Sequence, residues 1–300
     1  MRLYQINKGK LAKIKEEPFK LERDLQRLVE ENLETLLGLQ MIKSEFPIED
    51  CRFDTLTYNP EDKSFVIIEY KRDTNNNITD QGMTYLNLIL AHKEAAVLEM
   101  NNLFKKNLSI GDIHWEYTKV VFITSSFTKF QRGSLNPGLP IEMLEIKKHG
   151  TNLISVTPIK KKGDPISMNR IIQKSSVFEK VAKETKNYTE DDLLEKMPED
   201  IRELYSQFKT AILNLDTQIE VQPKKNYIAF KKESSNICDI ELWKKCLKIY
   251  ANAKWGELDD PKKLFENVSE KGTWGNGDYR AIVSDSKDLE YIMSVLKQLL

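Results

Sequence analysis

The sequence predicts an α/β protein that continues into a smaller α+β unit. An amphipathic helix precedes a pair of strand patterns in the first part of the chain. Further on, the apolar run VVFIT is uninterrupted, as is typical of a strand whose sheet is covered on both faces. The last third has an amphipathic helix, then several short strand patterns, then a closing helix. We therefore expect a sheet flanked by helices, followed by an antiparallel sheet with its own helices.

The first predicted elements are a hairpin and a helix. Apolar residues on either side of the turn sequence NKGK, within 3–6 and 11–14, predict a β-hairpin. A helix is predicted over 21–37, and Gly38 is suited to end it. The apolar positions at helical spacing in this segment are Leu25, Val29, Leu33 and Leu36.

Two strands and a long helix are predicted next. CRFDTLTYN and FVIIEYKR should pair as a hairpin, because Pro60 and Asp62 supply turn chemistry between them. One helix is predicted from about Thr79 to Phe104. The strand YTKVVFITSSF follows, then a short helix expected at Ile141–Leu144 and a strand at NLISVTPIK.

Residues 163–192 are predicted to link two domains. This segment is rich in charge and poor in apolar periodicity, with room for one short helix. The predicted domains are therefore residues 1–162 and 193–300. In the second, DIRELYSQFKTAIL and DSKDLEYIMSVLKQLL are expected to be helices around antiparallel strands.

Composition narrows the possible functions. The chain has 46 basic and 46 acidic residues, so no bulk charge attracts a polyanion, although a local basic surface is compatible with this balance. Three cysteines, Cys51, Cys238 and Cys246, show no CxxC spacing, which argues against a disulfide framework or zinc site. The N-terminus does not have the pattern of a signal peptide, and no apolar run is long enough to span a bilayer. A cytoplasmic protein without a membrane segment is expected.

The stretch FVIIEYKRD carries the chemistry. In a strand, Glu69 and Lys71 share the face of Phe65 and Ile67, which should be buried. A buried carboxylate and ammonium need partners or a metal. Asp54, on the preceding strand, lies near Glu69 if the hairpin register is right. Two carboxylates at one point favour a divalent cation between them, and Mg²⁺ or Mn²⁺ prefers such oxygen ligands.

The order of these residues resembles the core motif of the PD-(D/E)xK nuclease superfamily. Asp54 and, fifteen positions later, the Glu69-x-Lys71 triplet match the pattern D…(D/E)xK. Phe53 stands where the family pattern has a proline, which is the one departure in this stretch.

Two further features agree with the resemblance. QGMTY places Gln81 and Tyr85 at the QxxxY spacing of the RecB-like branch, and residues four apart share a helix face. The predicted helix over 21–37 resembles the helix that carries the family's extra acidic ligand. Glu22 is the candidate, because it shares a face with the apolar positions and should point inward, whereas Glu30 and Glu34 should be solvated.

The resemblance covers about residues 3–159 and implies a restriction-endonuclease-like mixed sheet flanked by helices. The chain is similar in these motifs to archaeal and actinobacterial mismatch or branched-DNA endonucleases. A metal-dependent nuclease that hydrolyses DNA phosphodiester bonds, in repair or defence, is implied. Asp54 and Glu69 would bind Mg²⁺ or Mn²⁺, and Glu22 would assist directly or through water.

The resemblance also implies roles for the remaining motif residues. Lys71 would position or activate the attacking water, and Gln81 and Tyr85 would support the site or contact the substrate phosphate. The second part resembles an uncharacterised C-terminal module sometimes labelled a predicted transport protein, although no membrane segment supports transport. This part is expected to select the substrate, or to bind a second copy of the chain or a partner protein.

Alternatives stay open at this point. A catalytically silent module that keeps the fold and binds nucleic acid or protein is the alternative to a nuclease. In the predicted long helix His92 shares a face with Gln81, where a core or rim position is favoured over a role in the site. Lys129, Gln131 and Arg132 fit phosphate binding and an ordinary surface equally well.

Overall fold

The computed structural model describes residues 3–71, 78–134, 138–160, 176–185, 188–270 and 277–300. The chain divides into two compact units, 1–186 and 187–300. The predicted linker, 163–192, lies partly outside the described residues. Within it, residues 176–184 form a helix whose Val181 is buried in the core of the first unit. Among the helices of the described ranges, none has the length and apolarity needed to cross a bilayer.

The first unit is a mixed sheet with helices on both faces, which confirms the predicted α/β class. Its elements are β1 (Tyr4–Asn7), β2 (Lys10–Lys13), β3 (Glu16–Glu17), α1 (Glu22–Glu30), α2 (Leu33–Leu37), β4 (Gln40–Ile48), β5 (Cys51–Asn59), β6 (Ser64–Tyr70), α3 (Ile78–Ala91), α4 (Lys93–Phe104), β7 (Lys119–Thr124), α5 (Lys129–Ser134), β8 (Ile141–His149), β9 (Leu153–Pro158) and α6 (Ser176–Glu184). Strands β4, β5 and β6 pair antiparallel, and β6, β7 and β8 pair parallel.

The strand β3 lies at the carboxyl end of the parallel strands. It pairs antiparallel with the last residues of β8, with Glu16 opposite His149 and Glu17 opposite Lys148. Strand β9 pairs with β8 both at these two residues and at Leu144 and Glu145, where β8 also pairs with β7. Strand β9 therefore occupies one edge of β8, and β3 and β7 share the other. Strand β3 therefore continues the line of β7 beyond the carboxyl end of β7.

Alternation along β6 separates two hydrophobic cores. Phe65 and Ile67 face the core that α3 and α4 close, whereas Val66, Ile68 and Tyr70 face the core that α1 and α2 close. All five side chains are fully buried. Burial on both faces explains why the sequence of β6 is an unbroken apolar run.

Both predicted long helices are broken in the structure. The helix expected over 21–37 is interrupted at Glu31 and Asn32, where the Asn32 side-chain amide donates to the Leu28 carbonyl oxygen at 2.8 Å and competes with the helical backbone. Gly38 ends α2 with φ = 65°, as predicted. The helix expected from Thr79 to Phe104 is interrupted at His92 (φ = −123°, ψ = 44°), whose ring is bound to Glu49.

The short helix expected at Ile141–Leu144 is wrong, because these residues begin strand β8. Ile141 and Met143 are buried in the core under α3 and α4, while Leu144 is buried in the core under α1 and α2. Such two-sided burial needs a strand, and it arises only when β7 is present as a pairing partner. Strand β4, which pairs with β5, had no counterpart among the predicted elements.

The second unit is a smaller α+β domain, as predicted. Its elements are α7 (Glu190–Leu194), α8 (Glu199–Leu213), β10 (Ile219–Pro223), β11 (Ile228–Lys232), β12 (Ser235–Trp243), β13 (Cys246–Ala251), β14 (Glu266–Asn267), β15 (Tyr279–Val283) and α9 (Leu289–Leu296). The strands form an antiparallel sheet in the order β10-β11-β12-β13-β15-β14. Helices α8 and α9 contribute Phe208 and Leu296 to a core with Phe230, Ile240 and Ile249 of the sheet.

The helix α3 packs closely on the sheet because residue 82 is glycine. A Cβ atom at Gly82 would lie 2.8 Å from Cδ1 of Ile141 and 3.2 Å from the ring of Phe122. Both neighbours are buried core side chains, so they have little room to move. The absence of a side chain at position 82 thus sets the distance of α3, and of its neighbour Gln81, from the strands.

We expect Gly82→Ala to lower the free energy of unfolding of the first unit by about 1 kcal/mol, because overpacking outweighs the gain in helix propensity. Gly133→Ala in α5 is the matched control. A Cβ at Gly133 meets no atom of the described residues within 4 Å, so helix propensity alone should raise stability by about 0.5–1 kcal/mol. Chemical denaturation measures both, and changes of the same sign would contradict the close packing of α3.

Candidate active site

The end of β6 buries an ion pair. Glu69 is 4% exposed, and its Oε1 accepts hydrogen bonds from Lys71 Nζ at 2.8 Å and Gln81 Nε2 at 2.7 Å. The backbone N–H of Lys71 donates to Ile123 O of β7, which holds the lysine in line with the strand. The side chains of Glu69 and Lys71 therefore point inward, as predicted from the alternation along the strand. The second oxygen of Glu69, Oε2, is buried and has no hydrogen-bond partner among the described residues.

Gln81 links the ion pair to α3 and β5. Its amide Nε2 donates both to Glu69 and to the hydroxyl oxygen of Tyr85, at 3.0 Å. The Tyr85 hydroxyl donates onward to the carbonyl oxygen of Arg52 at 3.4 Å. Burial, followed by the charge of Glu69, raises the pKa of Tyr85 to about 12, so the hydroxyl keeps its proton. The two residues at QxxxY spacing thus fix the Glu69 carboxylate rather than project into solvent.

Asp54 meets the same end of β6 from the neighbouring strand. Its Oδ2 accepts the backbone N–H of Tyr70 at 2.9 Å. Burial chiefly, and then the charge of Glu69, raises the pKa of Asp54 from 3.8 to about 7; the Tyr70 hydrogen bond and Lys71 oppose this rise. The charge of Glu69 therefore acts on Asp54 at the end of β6, and together with burial it disfavours the ionised form of Asp54.

The strand β5 is distorted where it carries Asp54. Phe53 and Leu56 both lie in the core under α3 and α4, although alternation would place residues three apart on opposite faces. Glu45, which falls between the registered pairs on the partner strand β4, has φ = 55°. The pairing of β5 with β6 begins at Thr55, so Asp54 is released from the ladder and its side chain can reach Tyr70.

Two polar residues of α1, missed by sequence reasoning, hold this distortion. Gln26 Nε2 lies 3.2 Å from the carbonyl oxygen of Asp54 and 3.3 Å from Oε1 of Glu45. Glu30 accepts from the Thr55 hydroxyl at 2.6 Å and from Gln26 at 3.1 Å. The expectation that Glu30 is solvated is therefore wrong. The signal available in the sequence was the i, i+4 spacing of Gln26 and Glu30, which places both on one face of the helix.

Glu22 does not point inward as predicted. It is the first residue of α1 and is exposed. The prediction combined Glu22 with apolar positions of α2, which is a separate helix, and α1 packs on the face of β6 opposite to Glu69. The charge of Glu22 still contributes slightly to the raised pKa of Asp54, so it lies at the margin of the site.

The buried Glu69 and the half-buried Asp54 are oxygen ligands of the kind that suits a divalent cation. Mg²⁺ is commonly held by one or two carboxylates together with water and substrate phosphate oxygens. The buried, unpartnered Oε2 of Glu69 and the strained proximity of Asp54 are the two observations that suit a cation. Within the part of the chain that the structure describes, no group of three or more His, Cys, Asp or Glu side chains could enclose a metal. A site here would be open, with positions for water and substrate.

The other candidate residues lie outside this cluster. His92 follows the far end of α3 from Gln81 and is bound to Glu49 at 2.7 Å. Arg132 pairs with the buried Glu145 at 2.5 Å, which also accepts the backbone N–H of Phe127. These contacts give Arg132 a structural role at the start of α5.

Gln131 of α5 is buried, and its side-chain oxygen caps the backbone N–H of Thr128 at 2.9 Å. Lys129, at the start of the same helix, is exposed. Of the three α5 residues considered for phosphate binding, two are therefore committed to internal contacts.

Comparison with known sequences gives two matches. Residues 190–298 match a family model described as a "Domain of unknown function (DUF5655)". Over its whole length the chain is similar to an "Uncharacterized protein" of Haemophilus influenzae, with 44% identity over 299 residues, covering 99% of each chain.

Comparison with solved structures gives two partial likenesses. One is to a repair endonuclease from Pyrococcus abyssi, with 19% identity and a TM-score of 0.26, over 44% of this chain and 50% of that chain. The other is to an EndoMS-dsDNA2 complex, with 14% identity and a TM-score of 0.26, over 48% of this chain and 64% of that chain. The chain spans about half of the first protein and less than two thirds of the second, and a TM-score of 0.26 is too low to assign a function to this chain.

We expect Asp54→Asn to stabilise the metal-free protein, increasingly so as pH rises. The folded state keeps the Asp54 proton up to about pH 7 and the unfolded state loses it near 3.8, so wild-type stability falls across that interval. The difference in the pKa of Asp54 between the folded and unfolded states corresponds to about 4 kcal/mol. Screening by water at this partly buried group reduces the expected stability gain to about 1–3 kcal/mol. Denaturation in chelator at about pH 4 and pH 8 measures this.

The exposed Asp50, in the turn between β4 and β5, provides the matched control. Asp50→Asn should leave the difference between the two pH values unchanged. An Asp54→Asn stability gain that is equal at both pH values would contradict the raised pKa of Asp54.

Proposed function

The chain belongs to the same family as the uncharacterized Haemophilus influenzae protein, whose description names no activity. From the geometry of the site, we propose that the protein is a Mg²⁺- or Mn²⁺-dependent nuclease that hydrolyses DNA phosphodiester bonds. The observation that carries the proposal is the pair of carboxylates, Asp54 and Glu69, which interact electrostatically beside the partly buried Lys71 at the end of β6. DNA is the proposed substrate because the motif order resembles the PD-(D/E)xK nucleases.

The arrangement favours catalysis over a purely structural role for the ion pair. A carboxylate with one buried unpartnered oxygen costs stability unless something binds it. A carboxylate whose pKa is raised to about 7 likewise costs stability when it ionises. A divalent cation would offset both costs at once, which is the relationship expected of residues retained for binding rather than for packing.

In the proposed site Asp54 and Glu69 hold the cation, and Glu22 contributes from the margin through water. A bound Mg²⁺ or Mn²⁺ supplies Lewis-acid stabilisation of charge on the phosphate oxygens. Lys71 orients the attacking water with its ammonium protons and places positive charge beside the phosphate. Gln81 and Tyr85 hold the Glu69 carboxylate in a fixed orientation, so little reorganisation is needed when substrate arrives.

The test is cleavage of linear duplex, single-stranded, branched and mismatched DNA by the full chain with Mg²⁺ or Mn²⁺. We expect the wild type to cleave at least one substrate, and chelator to abolish cleavage. Asp54→Asn and Lys71→Met should each lower the rate about 100-fold or more. Asp54→Asn is the decisive variant, because it is expected to fold more stably than the wild type.

Lys119→Met is the matched control for Lys71→Met. Lys119 forms a similar partly buried ion pair with Glu142, at 2.9 Å, but at the amino end of β7. This variant should lose stability and keep activity. If Lys119→Met and Lys71→Met reduce cleavage equally, the loss reflects folding and Lys71 has no catalytic role.

A catalytically silent module is the second candidate, and one observation favours it. Across the described ranges no third acidic or histidine side chain joins Asp54 and Glu69 to enclose a metal. Calorimetric titration with Mn²⁺ separates the two candidates. Affinity that Asp54→Asn abolishes supports the nuclease, whereas absent or unchanged Mn²⁺ affinity together with no cleavage supports the silent module.

A further inference from the structure

The amino-terminal hairpin, β1 and β2, forms a sheet of its own. All residues of both strands are exposed, including Ile6 and Leu11, which face each other across the pair. The turn residues Lys8 and Gly9 have φ = 48° and 78°, as a type I′ turn requires. A two-stranded ribbon whose residues are all exposed is marginally stable in water, so a partner that packs on the ribbon would stabilise it.

The charge of this ribbon is one-sided. Residues 3–15 contain four lysines and no acidic residue, although the whole chain has zero net charge. All four are exposed, and within the described residues none forms an ion pair. Glu16, which follows the ribbon, is bound to Lys147 at 3.2 Å and does not pair with it. The four lysines are Lys8, Lys10, Lys13 and Lys15.

The ribbon projects from the edge of the sheet at which the candidate site lies. Tyr70 pairs with Ile123 of β7, and the next residue of β7, Thr124, pairs with Glu145 of β8. Strand β8 continues to His149, where β3 attaches the ribbon on the side of β7. The attachment therefore lies four residues, roughly 13 Å, beyond the level of the ion pair.

We propose that this lysine ribbon is an arm that binds the phosphate backbone of duplex DNA held at the site, an inference that rests on the proposed nuclease function. The major groove of B-DNA admits a two-stranded β-ribbon, and lysines beside the groove neutralise phosphates. The phosphates of one strand are spaced about 3.4 Å apart along the duplex axis, so 13 Å along that axis corresponds to about four nucleotides from the reacting bond.

A second copy of the chain fits the ribbon less well. Two-fold interfaces place the same surface against itself, so the four lysines of each copy would face four others. Like charges set against each other across an interface oppose association. A polyanionic duplex supplies the complementary charge instead.

The experiment is duplex binding by the full chain in an Asp54→Asn background, which prevents cleavage. The probe is a labelled random-sequence duplex of about 30 base pairs, titrated at about 50–200 mM salt. Changing the four ribbon lysines to glutamine should weaken binding about tenfold or more, and should lower the salt slope by up to about 3.6, because each lost phosphate contact removes about 0.9. Changing the same four to arginine should preserve both.

The control variant removes the same charge from the second unit. Four of the exposed lysines of that unit are changed to glutamine: Lys196, Lys244, Lys245 and Lys263. This variant should bind the duplex as the parent does. In the cleavage-competent background, the ribbon variant should raise KM and leave kcat unchanged, because the ribbon does not contact the reacting phosphate.

Other outcomes overturn the inference and separate it from the proposed function. If the wild type cleaves DNA and the glutamine ribbon variant binds and cleaves as the wild type does, the arm is refuted and the nuclease stands. If the wild type neither cleaves nor binds DNA, the nuclease itself fails, and the arm with it. If the ribbon lysines are needed for binding to anionic phosphatidylserine vesicles but not for binding to the duplex, the partner is a lipid surface. If the protein self-associates in sedimentation and Ile6→Ser abolishes this association, the partner is a second copy.

Discussion

The burial of the Glu69 carboxylate at the end of β6 is the constraint around which the first unit is arranged. A carboxylate that is 4% exposed costs stability unless donors bind it, and Lys71 and Gln81 supply these donors from the strand and from α3. Helix α3 must then lie close enough for Gln81 to reach. The missing side chain at Gly82 permits that distance, and the two-sided burial of β6 fixes the face on which Glu69 lies.

The second carboxylate, Asp54, comes to the same point by a local departure from ideal strand geometry. In a regular strand the side chain of Asp54 would alternate with those of its neighbours. The pairing of β5 with β6 stops at Thr55, however, and Glu45 on the partner strand β4 has a positive φ. Gln26 and Glu30 of α1 support this departure from the other face of the sheet. Hydrogen bonds that lie outside the site thus help to hold the backbone that carries Asp54.

The parallel order of β6, β7 and β8 brings the candidate site residues to one end of the sheet. Their carboxyl ends point the same way, so the Glu69–Lys71 pair and the start of α5 follow neighbouring strands at one end of the sheet. Strand β8 extends beyond the end of β7. The short strand β3 pairs with this extension and so attaches the lysine-rich amino-terminal hairpin. A chain with no net charge thereby separates a basic ribbon from an acidic site along a single edge.

The sequence by itself determined which residues could meet at the site. Period-two alternation places Glu69 and Lys71 on the face of Ile67, and four-residue spacing pairs Gln81 with Tyr85, because both relations are local to one element. Only the tertiary structure decided the elements that depend on partners, such as β4 and β8, which become strands through pairing with β5 and β7. The outward position of Glu22 was decided in the same way, because it follows from a break at Asn32 and from which face of the sheet α1 covers. Hydrogen bonds and burial between distant segments set these features, and spacing along one segment carries no information about them.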